Sequence, residues 1–140
     1  MARSQQFLRL IAVWVLALVF IYAAIVKIWR PDQFLQDILS YQLLDYQMAW
    51  FVAYGLPPLE LLAGVSIFFE AWRRVAGGLI FLMMVAFTLA LISAWMRGLD
   101  ISCGCFGKSD AAADYPILLI RDISLACLAL YLCLPSSSQR

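Results

Sequence analysis

The fold of this chain is decided by residues 10–29, which read LIAVWVLALVFIYAAIVKIW and contain a single charged residue, Lys27. An apolar run of about 20 residues is long enough to cross the ~30 Å hydrocarbon core of a bilayer as one α-helix. Three further runs of this kind follow, at residues 50–70, 75–96 and 115–134. The sequence therefore predicts four membrane-spanning helices.

The composition agrees with a membrane protein, since 65% of the 140 residues are hydrophobic and only 14% are charged. A water-soluble domain this apolar would expose large hydrophobic patches. Helices satisfy their own backbone hydrogen bonds, as a lipid environment requires. We predict an all-α fold, a four-transmembrane-helix antiparallel bundle that forms a single integral membrane domain over residues 1–140 and is surrounded by membrane lipid.

Several classes of function are disfavoured by what the composition lacks. The sequence contains no histidine, which excludes histidine-ligated metal sites and removes the usual acid–base group near neutral pH. It shows no dense basic patch, no P-loop and no dinucleotide-binding fingerprint. Nucleic acid is therefore not an expected partner, and no metal ligands are assigned.

The segment after the first span has an amphipathic pattern. Pro31 discourages continuation of the first helix. Residues 32–47 then alternate polar and apolar groups at helical spacing, with Phe34 and Leu35 among the apolar ones. This pattern predicts a short amphipathic helix on the outer, extracytoplasmic surface of the membrane.

Two consecutive prolines, Pro57 and Pro58, interrupt the second span. Proline removes a backbone donor, breaks a regular helix interior and is tolerated in the first helical turn. We predict that the regular helix begins at Pro57, after a kink or a separate turn, so that Glu60 lies in its first turn.

Basic residues give only a narrow preference for one orientation. Of the 10 Lys and Arg residues, five fall on each side of the membrane. Lys27 and Arg121 are two of the five on the side that contains the loop between the third and fourth spans. Both lie inside spans, so only three basic residues remain in the loops of that side. The positive-inside rule then predicts cytoplasmic termini and an extracytoplasmic loop. In a bacterium this means the inner membrane with the loop in the periplasm, where disulfides persist.

Two cysteines separated by a single glycine lie in that loop, in the sequence ISCGCFG at residues 101–107. The glycine between them lets the backbone turn tightly enough for Cys103 and Cys105 to join. A ring this small is expected to be strained and easily exchanged. Arg97 and Lys108 are near in sequence and would stabilise a thiolate. A structural bridge, two free thiols and a Cu(I) site remain alternatives.

The other two cysteines, Cys127 and Cys133, fall within the fourth span. Cysteine is at home in apolar surroundings, where its thiol is inert. We interpret both as packing residues.

Charged residues inside the spans form a second candidate feature, because an ionisable group in the membrane usually has a partner or a function. A rise of ~1.5 Å per residue puts Glu60 and Arg121 at similar depth, which predicts an ion pair or a shared polar cluster. Lys27 is nearer the surface and can extend its ammonium group to it. Asp122 can join either cation. With Arg97, these residues would form either a structural salt bridge or a polar pocket beneath the cysteine loop.

Three short motifs of this chain occur together in a known family. They are Lys27 followed by Pro31 and Phe34, LPPLELLAG at residues 56–64, and the pair Arg97-Gly98 leading into ISCGCFG. On these motifs, which are spread over nearly the whole chain, the sequence resembles the MauE family of methylamine-utilisation proteins, within the DoxX-like superfamily. The cysteine motif is the most specific of the three.

That resemblance implies a four-helix inner-membrane protein that forms or handles disulfides in periplasmic proteins, often with a thioredoxin-like partner. Related DoxX-type proteins are linked to quinone-coupled sulfur oxidation, which makes a quinone beside Glu60 and Arg121 a candidate cofactor. The identity of the thiol client does not follow from the resemblance.

Three hypotheses for function result. The first is a membrane thiol–disulfide oxidoreductase, in which Cys103 and Cys105 are catalytic and exchange with a periplasmic thioredoxin-like partner or client. The second is a non-catalytic membrane anchor or assembly factor for a partner that carries the active thiols. The third is a small carrier of sulfur species or Cu(I).

Overall fold

The structure is a computed structural model that describes residues 2–99 and 114–135. Within these ranges it contains helices and turns only. The helices are α1 (Ala2–Trp29), α2 (Pro31–Ser40), α3 (Tyr46–Ser66), α4 (Arg73–Met96) and α5 (Tyr115–Cys133). All except α2 are long and apolar enough to cross a membrane. The predicted all-α bundle with four transmembrane helices is confirmed.

Two helices have bounds that differ from the predicted spans by more than two residues. Helix α1 begins at Ala2, not near residue 10, because the polar residues before the apolar run continue the same helix. Helix α3 begins at Tyr46 and ends at Ser66, where the prediction was 50–70. The early start has a local cause, since the Asp45 carboxylate accepts a hydrogen bond from the backbone N–H of Met48 at 3.3 Å and caps the helix.

Helix α2 confirms the predicted short amphipathic helix but ends earlier than residue 47. Its apolar side chains Phe34 and Leu35 are buried against Ala49 and Ala53 of α3, so this face contacts protein. The chain leaves the helix at Gln42, whose φ of 52° lies in the left-handed region. A helix cannot continue through that conformation, and the segment up to α3 is a turn.

The prediction that a regular helix starts at Pro57 is wrong, because α3 runs without interruption from Tyr46 to Ser66 with both prolines inside it. The missing N–H groups leave the carbonyls of Ala53 and Tyr54 without their usual helical donors. Tertiary packing compensates, since the helix is buried against neighbours on both sides of the prolines. Ala49 packs on α2, and Ala63 belongs to the main core.

The four long helices form two closely packed pairs, α1 with α3 and α4 with α5, and the contacts between the pairs are sparser. Glycine allows the close approach within each pair. A Cβ at Gly64 would lie 3.4 Å from the backbone nitrogen of Ile21 on α1, and one at Gly77 would lie 3.2 Å from the carbonyl oxygen of Ala129 on α5. Small residues at helix crossings have this role in membrane bundles.

Arg9 shows how the ends of the chain are arranged. Its guanidinium donates to the carbonyl oxygens of Leu132 at 3.3 Å and Leu134 at 3.0 Å. The first turns of α1 and the end of α5 therefore share one end of the bundle. The end of α4 and the start of α5, which flank the cysteine motif, lie at the opposite end.

Gly64→Leu is expected to lower the free energy of unfolding by about 1–3 kcal/mol, the usual cost of overpacking a tight contact. The new side chain would have to displace Ile21, whose Cγ1 already lies 3.0 Å from the position of a Cβ. Unfolding in mixed micelles of increasing SDS fraction, followed by circular dichroism, measures the effect. Gly55→Leu on the same helix is the matched control, because a Cβ there meets no atom within 4 Å. Equal losses in the two variants would contradict the close α1–α3 contact.

Candidate functional site

A buried ion pair joins α1 to α3. Lys27 Nζ lies 2.6 Å from Glu60 Oε1, and the two residues are only 2% and 1% exposed. Lys27 belongs to the last turn of α1, and Glu60 lies two turns before the end of α3. Charges this deeply buried are stabilised by each other and by hydrogen bonds, since bulk solvent does not reach them.

Two aromatic rings complete the surroundings of the lysine. Its Nζ lies 4.8 Å from the ring centroid of Phe34 on α2 and 5.1 Å from that of Phe87 on α4. Both distances are within the range of cation–π attraction. Three helices besides its own therefore contribute a group to the ammonium of Lys27.

The prediction that Lys27 reaches the membrane surface is wrong. Helix α2 folds back over the bundle and places Phe34 beside the ammonium, so the side chain points to Glu60. The sequence carried one signal for this contact, since Phe34 lies on the apolar face of the amphipathic pattern. Phe87 had no such signal among the many apolar residues of α4.

A second ion pair lies on α5, where Arg121 Nη2 is 2.7 Å from Asp122 Oδ1. Asp122 is buried at 3% exposure, and Arg121 is partly buried. The predicted ion pair between Glu60 and Arg121 is wrong, because Glu60 pairs with Lys27. Depth along a helix was estimated from residue counts, but the side of the helix that meets a neighbour depends on packing. Here α3 turns Glu60 towards α1.

The two ion pairs nevertheless line one small cavity of about 20 Å³. It lies where the α1–α3 pair meets the α4–α5 pair, and Ala23, Phe87 and Leu125 are among its other walls. The second carboxylate oxygen of Glu60, Oε2, is buried and has no hydrogen-bond partner. The fold therefore brings Lys27, Glu60, Arg121 and Asp122 together around one cavity. Arg97 does not line this cavity.

A larger groove of about 540 Å³ opens between α2, α3 and α4. Its walls are almost entirely apolar, and Ile38, Leu56, Leu79 and Phe87 are typical of them. Asp37 of α2 is the charged residue in its lining. The sequence pattern gave no indication of this groove, because it results from the sparse contact between α3 and α4.

Helix α4 ends in a well-defined C-terminal cap, which precedes the cysteine motif in the sequence. Gly98 has a φ of 63° and donates to the carbonyl of Trp95 at 3.0 Å, and Leu99 donates to the carbonyl of Ala94 at 3.1 Å. This pair of hydrogen bonds is the Schellman motif, which needs a left-handed residue and therefore favours glycine. The chain consequently leaves α4 in a fixed direction.

The first residue of α5, Tyr115, contacts this C-terminal end of α4. The hydroxyl of Tyr115 donates to the carbonyl of Leu99, and its ring stacks on Trp95 with centroids 5.9 Å apart and planes 11° from parallel. The two ends of the connection between α4 and α5 are thus held together. We call the group Trp95, Leu99 and Tyr115 the loop clamp.

Arg97 connects the end of α4 to the turn after α2. Its guanidinium donates to the carbonyl of Tyr41 and, at 3.4 Å, to that of Gln42. The sequence analysis grouped Arg97 with the intramembrane charges, but here its partners are backbone carbonyls. The long side chain of Arg97 suits this position, because it joins two segments that are 55 residues apart in the sequence.

The predicted catalytic residues Cys103 and Cys105, together with Lys108, lie outside the described residues. Of the other cysteines, Cys133 is partly buried, with its Sγ 3.8 Å from the position of a Cβ on Gly78. Cys127 is exposed on the outside of the bundle, so the packing role predicted for it is wrong within this chain. In the two described stretches, no three Cys, Asp or Glu side chains come together as metal ligands.

Four helices that are long and apolar enough to cross a membrane define a multi-pass membrane protein. The family model of methylamine utilisation protein MauE matches residues 5–135. The chain therefore belongs to the MauE family, as the sequence motifs indicated. No curated protein and no solved structure matches it.

Proposed function

We propose that this protein is a membrane thiol–disulfide oxidoreductase whose reactive pair is Cys103 and Cys105. The observation that carries the proposal is the position of two thiols, one glycine apart, in the connection between α4 and α5. The loop clamp supports it, because the described residues on both sides of the motif are held at one place on the bundle. Fixed positions of the residues on both sides of the motif favour a reproducible orientation towards a folded partner.

The exchange needs two attacks by sulfur. The thiolate of one cysteine attacks the disulfide of a thioredoxin-like partner, forms a mixed disulfide and releases one partner thiolate. The second cysteine thiolate attacks the mixed disulfide, closes the bond between Cys103 and Cys105 and releases the partner as a dithiol. Two electrons pass to the partner. A client dithiol then attacks the Cys103–Cys105 disulfide in the same two steps, which oxidises the client to a disulfide and returns the pair to the dithiol state.

We do not propose a quinone beside Glu60 and Arg121, the position that the sequence analysis considered for it. The cavity there measures about 20 Å³, which is room for a single water molecule. The apolar groove of about 540 Å³ lies within the range of ~300–1,000 Å³ that small-molecule sites occupy. We therefore assign a quinone, as a second electron carrier, to the groove, and no step of the exchange above depends on it.

We place the protein in the bacterial inner membrane with both termini in the cytoplasm and the cysteine motif in the periplasm. The basic residues favour this orientation, and Arg9 holds the two terminal ends of the bundle on one side. Disulfide chemistry also favours this arrangement, because reducing systems keep most cytosolic thiols reduced.

The competing proposal is a membrane anchor or assembly factor, in which the cysteine pair only braces a docking loop. The loop clamp and the Arg97 contacts also suit that role, since both stabilise a surface without chemistry. A carrier of sulfur species or Cu(I) is the third proposal, and metal analysis of the purified protein with and without the two thiols separates it from the others.

Impermeant maleimide is expected to label Cys103 and Cys105 in intact cells, and to label them more strongly after treatment with an impermeant reductant. The reason is that the motif faces the periplasm and is at least partly oxidised there. The shift in mass on a denaturing gel measures the labelling. A variant with both cysteines changed to serine is the control, because it keeps Cys127 and Cys133. Labelling that appears only after the membrane is permeabilised would overturn the orientation.

A further inference from the structure

The small cavity between the two helix pairs combines two features that together indicate a bound molecule. Its volume of about 20 Å³ exceeds the ~10–15 Å³ that one water molecule requires. Glu60 is one of its lining residues, and the Oε2 atom of this carboxylate is buried and has no hydrogen-bond partner among the described residues. An unpaired carboxylate oxygen in a membrane interior would lose a hydrogen bond at considerable cost.

The other wall of the cavity carries matching groups. Arg121 and Asp122 of α5 line the same cavity as the Lys27–Glu60 pair, so a molecule in the cavity lies next to both ion pairs. A buried water usually makes two to four hydrogen bonds to polar groups, and the cavity offers carboxylate, guanidinium and ammonium groups. The charges of the four residues sum to zero, which favours a neutral occupant over an ion.

We propose that this cavity binds one water molecule, which donates a hydrogen bond to Glu60 Oε2 and contacts the Arg121–Asp122 pair. The water connects the α1–α3 pair to the α4–α5 pair at the place where direct helix contact is sparse. The proposal concerns the bundle interior and is independent of any chemistry at the cysteine motif.

The composition of the chain permits a direct test. Glu60 and Glu70 are its two glutamates, and Glu70 is exposed. Full-length protein with ¹³C-labelled glutamate in lipid bilayers therefore gives two carboxyl signals in solid-state NMR, and Glu70→Gln assigns them. With magnetisation transferred from water protons, we expect both signals to appear. A Glu60 signal that receives no transfer would show a dry cavity and overturn the proposal.

Two variants at Ala23, a buried residue of the cavity wall, establish where the transfer originates. Ala23→Val fills the space, and we expect loss of water transfer to Glu60 while Glu70 is unchanged. Ala23→Ser supplies a hydroxyl in place of the water and is less disruptive to folding, with the same expected loss. Undiminished transfer to Glu60 in both folded variants would contradict a water in this cavity.

Discussion

Lys27→Met is expected to lower the free energy of unfolding by about 3–5 kcal/mol, the cost of leaving one member of a buried ion pair without its partner. The substitution keeps a long apolar stem but removes the charge that lies 2.6 Å from Glu60 Oε1. It also removes the cation that faces Phe34 and Phe87. Glu60, at 1% exposure, does not reach bulk solvent and must either stay charged without its cation or take up a proton.

The measurement is unfolding in mixed micelles or by heat in detergent, with the helical signal as the readout. Arg30→Met is the matched control, because Arg30 is exposed three residues further along and should change stability by no more than about 0.5 kcal/mol. Adding Glu60→Gln to Lys27→Met should recover part of the loss, since the uncompensated charge is then gone. Equal effects of Lys27→Met and Arg30→Met would show that the pair is not buried.

Cys103→Ser and Cys105→Ser are each expected to abolish thiol–disulfide exchange, because the reaction needs one thiolate to attack and a second to resolve the mixed disulfide. A serine hydroxyl can do neither. In each single variant the remaining thiol can still attack the disulfide of a partner, and the product then accumulates because the second thiol of the pair, which would complete the exchange, is absent. A covalent complex that disappears on reduction is the expected product, seen on a non-reducing gel and identified by mass spectrometry.

The cysteines of α5 provide controls for this experiment. Cys127→Ser and Cys133→Ser should leave exchange and complex formation unchanged, since these residues lie in the membrane-spanning helix. The double variant at 103 and 105 should capture nothing. If neither single variant captures a partner and both retain full function in cells, the anchor proposal replaces the oxidoreductase.

Much of the fold could be predicted because hydropathy reports a local property. Whether a segment of about 20 residues prefers lipid depends mainly on its own side chains, so four spans were evident without knowledge of their neighbours. The amphipathic pattern after Pro31 located α2 for the same reason. The family motifs also stood in the sequence itself, as the match over residues 5–135 confirms.

The candidate site was predicted less well, because its contacts depend on segments far apart in the chain. Residue counts placed Glu60 and Arg121 at one depth, and both do line one cavity, but Glu60 pairs with Lys27, 33 residues away. The rotation of α3 decides this pairing. The same rotation brings Gly64 close to Ile21 on α1, and no periodicity in an almost wholly apolar helix could indicate it.

The sequence by itself determined the number of membrane helices, the presence of charges within them and the position of the cysteine motif between the last two. Only the tertiary structure decided that α3 continues through Pro57 and Pro58, that α2 covers Lys27 and that Glu60 faces α1. The physical reason is that transfer into lipid is summed residue by residue, whereas packing and ion pairing depend on which faces of distant helices meet.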